Sequence, residues 1–129
     1  MLELLTVALA SLLAGFIDAV AGGGGLVLVP ALFFWEVANA LLMAVRRQRL
    51  SQAERVEALQ LLEAQGFDVD PASPAVIWHD VIHLAEQCQL TAYDAAYLEL
   101  AMRRGLPLAT HDRALRAAAR SLGVELLLG

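Results

Sequence analysis

The stretch from Leu90 to Asp112, LTAYDAAYLELAMRRGLPLATHD, constrains the fold of this chain more than any other. It predicts a helix, a tight turn and a short strand, with a carboxylate at each end. Thr91 is placed to N-cap the helix, which puts Asp94 at the third helical position, near the partially positive helix start. Ala95, Leu98 and Met102 follow at helical spacing, and Arg103-Arg104-Gly105 supplies the cations and the glycine that commonly end a helix. Leu106 to Thr110 then reads as a short apolar strand, and Asp112 as the N-cap of a helix over Arg113 to Leu122. Strand ends that meet helix starts at one edge of an α/β sheet are where such folds place ligands.

The preceding segments extend the pattern. A helix is expected over Phe34 to Arg49, with Val37, Leu41 and Val45 forming a buried stripe. Ser51 to Glu54 is a capping box that opens a second helix to about Gln65, stopped by Gly66. Phe67 to Asp70 reads as a short strand, Pro71 and Pro74 punctuate a turn, and Val76 to Gln89 forms a third helix. Val124 to Leu128 closes the chain as an apolar strand. Helices alternating with short apolar strands argue for a parallel α/β sheet.

The words YDAAYLELA and GLPLATHD resemble the C-terminal half of PIN-domain ribonucleases, specifically the VapC-type toxins of toxin–antitoxin pairs. FFWEVANALLMAVRRQRLS resembles the segment of that family that carries a glutamate on a helix. Together the similarities cover about residues 29–129. They imply a sheet flanked by helices, with Glu36, Asp94 and Asp112 converging at one edge as catalytic residues and metal ligands. Asn39 and Thr110 would support them. Hard oxygen ligands suit Mg²⁺ or Mn²⁺, which keep several waters and leave positions open for phosphate. The resemblance further implies cytoplasmic metal-dependent cleavage of RNA phosphodiesters, a cognate antitoxin and a homodimer. Each carboxylate alone also has a bland explanation, as a helix-dipole partner or cap.

At 129 residues the chain is long enough for one domain with a real core. A net charge of −5 argues against a generally nucleic-acid-binding surface. All nine basic residues are arginines, however, and they cluster as Arg46, Arg47 and Arg49 and as Arg103 and Arg104. Arginine grips phosphate bidentately, so Arg46 and Arg47 are candidate RNA contacts, with solvated helix ends as the alternative. The single Cys88 excludes an internal disulfide and fits a reducing compartment. His79 and His83 sit at i and i+4, but their neighbours read as an ordinary amphipathic helix rather than a zinc site. Tyr93 and Tyr97, also at i and i+4, read as packing rather than base stacking.

The first 28 residues form a separate apolar, glycine-rich segment, helical or membrane-like, ahead of a truncated PIN-like domain at 29–129. Hydrophobic residues make up 59% of the chain, and the excess lies mostly in this head. Leu4 to Ile17 is uncharged but shorter than the roughly 20 residues needed to span a bilayer. Continuing through Asp18 would cost about 2.5–3.5 kcal/mol on insertion scales. The segment LLAGFIDAVAGGGGLVLVPAL resembles the start of TauE/SafE-type sulfite exporters, which implies membrane contact of residues 1–30 and a join near residues 29–32.

One departure from the PIN pattern bears on activity. The family's first aspartate ends its first strand, about two helices ahead of the glutamate. Asp18 precedes Glu36 by only 18 positions, four of them glycines. No room remains for those helices, so the first catalytic aspartate is not assigned to Asp18. The sheet is then expected to lack its first strand and the metal site one ligand, with loss of activity. Three function classes result: a toxin-type endoribonuclease, a catalytically dead remnant that only binds an antitoxin or a sibling chain, and a membrane-tethered fragment.

Overall fold

A computed structural model describes residues 18–21 and 27–127. Within them lie four strands, β1 (Ala19–Ala21), β2 (Val27–Pro30), β3 (Phe67–Asp70) and β4 (Leu108–Ala109). Five helices pack around them: α1 (Leu32–Arg46), α2 (Gln52–Gln65), α3 (Ile82–Cys88), α4 (Ala92–Arg104) and α5 (Arg113–Ser121). A π-helical segment, Val76–Val81, runs directly into α3. The strands form one sheet in the order β3-β2-β1-β4. This is the expected α/β class, a sheet flanked by helices.

The direction of β1 sets the geometry of the sheet's functional edge. β2 pairs parallel with β3, whereas β1 pairs antiparallel with both β2 and β4. So β2, β3 and β4 share one direction and β1 runs against them. Chain length dictates this. Five positions separate Ala21 from Val27, whereas a parallel crossover needs about a dozen residues or more. The central place in the sheet is therefore filled from within the head segment, by a strand that enters in reverse. The expected boundary at residue 28 falls inside β2, and Leu28 itself pairs with both Val20 and Asp68. Residues 1–17, which carry most of the apolar run, lie outside the described residues. No helix among the described residues is long and apolar enough to cross a membrane.

Both central strands are covered on both faces, and Val20 and Val29 are wholly buried. To this core α4 contributes Tyr97, Leu98, Leu100 and Ala101, and α1 contributes Phe33, Val37, Leu41 and Ala44. The predicted α1 stripe is thus present, with Val45 half-buried at its margin. The helix starts two residues earlier than expected, so Glu36 lies in its second turn rather than its first. Its charge is therefore not explained by the helix start.

Local signals act as predicted elsewhere. Ser51 and Glu54 close both bonds of the capping box at 3.0 Å. Thr91 accepts from the Asp94 amide at 3.1 Å. Gly105 takes φ +63° at the end of α4, a conformation that favours glycine, and frees the chain to turn into β4. The predicted C-terminal strand is reduced to a single parallel bridge, Leu126 to Leu108. Residue 128, its expected end, lies outside the described residues.

Candidate active site at the strand edge

Reversal of β1 decides where its flanking residue lands. Ala19 is paired with Ala109 and Val20 with Leu28, so Asp18, just before β1, lies level with Thr110 and Pro30. That is the edge where β2 and β4 end. A forward strand would deliver a carboxylate there from its last residue; this reversed strand delivers one from the residue before its first. Asp18, left out of the site on sequence, is thus brought to this edge, and the short connection leaves no need for the helices expected between it and Glu36.

Asp18 is only 4% exposed, and among the described residues its Oδ1 has no hydrogen-bond partner. Burial pushes its pKa up to about 7, and the charges of Asp94, Glu36 and Asp112 add to the rise. The neighbouring Thr110 hydroxyl pulls the other way. Glu36 is raised by burial and by Asp94, with a hydrogen bond from Tyr97 opposing. Asp94 is raised by burial and by Asp112, with Thr91 opposing. Asp18 thus lies within electrostatic reach of the other three carboxylates, as does Asp94 of Glu36 and Asp112, and like-charge repulsion adds to burial in raising Asp18, Glu36 and Asp94.

Different elements fix each group. Asp112 N-caps α5, its Oδ2 accepting from the Leu115 amide at 2.9 Å. Thr110, completely buried, accepts from the Asp112 amide at 3.0 Å through its hydroxyl. Arg116 donates to the Thr110 carbonyl at 2.8 Å, bracing the same turn. Tyr97, buried in α4, donates its hydroxyl to Oε1 of Glu36. Burial and the Glu36 charge push the Tyr97 phenol well up, which keeps it a donor. Asn39 is exposed one turn beyond Glu36.

Sequence reasoning missed Asp18, Tyr97 and Arg116 as members of this edge. For Asp18 a signal existed in the five-residue gap between two apolar runs, which is hairpin length. For Tyr97 and Arg116 there was none, because their partners are set by the tertiary fold.

The donor set fits a hard divalent cation. An unpartnered buried carboxylate oxygen, surrounded by three further carboxylates, is a place where positive charge lowers the energy. Among the described residues, no three His, Cys, Asp or Glu close into a ready-made metal cage. His79 and His83 are both exposed. The arginine clusters separate by role. Arg103 bonds Asp70 at 3.1 and 2.7 Å and Glu99 at 2.9 Å, and Arg104 lies 3.7 Å from Asp70. That cluster serves the fold rather than a free patch. Arg46 and Arg47 are exposed at the far end of α1, ten and eleven residues from Glu36 and so about 15 Å along the helix.

This α/β fold gathers acidic residues where its parallel strands end, and the comparisons give its class. The PIN domain family model matches residues 8–121, and the chain belongs to that family. No curated protein matches the chain. Among solved structures it is similar to the crystal structure of PAE2754 from Pyrobaculum aerophilum, with 31% identity and a TM-score of 0.56. The match covers 70% of this chain and 64% of that one, so the chain spans somewhat under two thirds of its neighbour's length. Nuclease-type hydrolase chemistry, divalent-metal dependence and RNA binding are general to the PIN domain family. The match also begins ten residues before Asp18, within the first 28 residues expected to lie outside the domain.

Proposed function

We propose that the chain is a metal-dependent endoribonuclease of the VapC toxin type, with Asp18, Glu36, Asp94 and Asp112 as its acidic site. The observation that carries this reading is the buried, unpartnered Oδ1 of Asp18 amid the other three carboxylates. Asp18 and Asp94 would hold a Mg²⁺ or Mn²⁺ ion directly, with Glu36 and Asp112 directly or through water. A bound ion would supply a water nucleophile at neutral pH and neutralise charge on the scissile phosphate. Thr110 keeps Asp112 and the turn after β4 in place. Asn39, one turn from Glu36 and facing solvent, is available to a substrate rather than to the carboxylates. Arg46 and Arg47 would engage RNA phosphates beyond the cleavage point. By the same resemblance a cognate antitoxin restrains the activity and the active form is a homodimer.

The test is Mn²⁺-dependent cleavage of a pooled single-stranded RNA by wild type, Asp18→Asn and Asp94→Asn. Cleavage by wild type that falls by at least a hundredfold in both variants is the expected result. Cleavage unaffected by Asp18→Asn removes Asp18 from the site. No cleavage by a folded wild type makes the chain an inactive PIN remnant, whose remaining role would be binding an antitoxin or a sibling chain.

A further inference from the structure

The two tyrosines of α4 that share a spacing do not share an environment. Tyr93 is 66% exposed, whereas Tyr97 is wholly buried. The Tyr97 ring packs in the main core, where a phenylalanine would fill the same space. Packing therefore accounts for the ring and leaves the hydroxyl unexplained. That hydroxyl donates to Oε1 of Glu36, on another helix and 61 positions earlier in the chain.

The other acids are held close to the backbone. Asp18 has a short side chain next to a strand, and Asp112 is tied to the Leu115 amide. Glu36 instead reaches the edge from the second turn of α1 on a longer, more freely rotating side chain. A fixed donor on one carboxylate oxygen selects one rotamer and leaves the other oxygen available. Partners of this kind orient metal ligands in general. We propose that Tyr97 is a positioning residue, its hydroxyl fixing Oε1 of Glu36 so that Oε2 faces the acid cluster and a divalent cation. The proposal rests on the four-carboxylate reading above and adds to it a role for the buried phenol.

The experiment is calorimetric titration of Mn²⁺ into the full chain as wild type, Tyr97→Phe, Glu36→Gln and the double variant, with metal-free melting measured alongside. Tyr97→Phe is expected to melt within a few degrees of wild type and to bind Mn²⁺ about ten- to a hundredfold more weakly. That loss is expected to vanish in the Glu36→Gln background, where no carboxylate remains to be oriented. Equal Mn²⁺ affinity in wild type and Tyr97→Phe overturns the proposal. So does an equal loss in both backgrounds, which is the behaviour of a packing residue. Should Tyr97→Phe not fold, Glu36→Asp tests the same contact with the tyrosine intact. Its shortened side chain leaves the reach of the hydroxyl, so wild-type affinity there is equally fatal. A cooperatively melting wild type that binds no Mn²⁺ removes the metal site itself, and the positioning role with it.

Discussion

Asp18 and Asp70 are equally buried carboxylates, each 4% exposed, and their surroundings are opposite. Asp70 ends β3 beneath a bidentate bond from Arg103, which also grips Glu99 one helical turn away. Asp18 has an unpartnered oxygen and three carboxylates around it. A buried charge is tolerable when it is paired and hydrogen-bonded, and Asp70 meets that condition. Asp18 meets it only when protonated or when a cation arrives. The difference separates a carboxylate that fastens α4 to the sheet from one buried among like charges, the setting expected of a ligand site under the proposed function.

Removing the fastening should produce the largest stability effect. Arg103→Ala leaves Asp70 and Glu99 buried with, among the described residues, only Arg104 nearby, at 3.7 Å from Asp70. Losing one partner of such a network costs about 3 kcal/mol, toward the low end of buried pairs because the Arg103 side chain is 37% exposed. Urea denaturation checks this, and a loss under about 1 kcal/mol would show that Asp70 is not held as described. Adding a divalent cation should act in the opposite direction at the other aspartate. Mn²⁺ at a hundredfold its Kd is expected to stabilise wild type by about 2.7 kcal/mol. Asp18→Asn should lose most of that gain, whereas Asp70→Asn should keep it if the variant folds. Melting with and without Mn²⁺ decides between them.

Asp18→Asn sharpens the comparison further in metal-free protein. The folded-state pKa of Asp18, about 7, lies above its unfolded value, so the folded chain holds more protons between roughly pH 4 and 7. Its contribution to stability is full below about pH 4 and is lost as pH rises through 7. An uncharged asparagine escapes that loss. Asp18→Asn should therefore gain stability over wild type as pH rises from about 4 to 8, and none near pH 4. A thermal-melt series across pH measures the gain; a pH-independent difference would mean that ionisation of Asp18 is not its source.

Which features were legible depends on how far apart the interacting residues lie in sequence. The Ser51–Glu54 box, the Thr91 and Asp112 caps and the Gly105 stop each depend on three or four consecutive residues, and all were readable. Glu36, Asp94 and Asp112 were legible because they sit in family-like words. Asp18 was not, because its place depends on strand direction, which is set by loop length and by pairing with β4 ninety residues away. The same holds for Tyr97 with Glu36 and for Arg103 with Asp70, contacts across 61 and 33 positions. Arginine clustering alone could not separate a structural pair from a free one. Burial of the facing carboxylate does.

That last distinction gives the smallest and most specific effect. Arg46 and Arg47 are exposed, and the side-chain contact of Arg46 among the described residues is a long one to Met43 Sδ within its own helix. Replacing both by alanine should change stability by less than about 0.5 kcal/mol, unlike the replacement of Arg103. If they engage RNA phosphates, affinity for single-stranded RNA should fall. Its logarithmic dependence on salt should also flatten by about 0.7 for each phosphate no longer neutralised, or about 1.4 for the pair. Fluorescence anisotropy over a range of salt concentrations, with Asp94→Asn to prevent cleavage, reads both quantities. A fall in affinity with an unchanged salt slope would assign the pair a shape or packing role. Unchanged affinity would make them solvated helix-end charges, leaving the acid edge without a basic neighbour on α1.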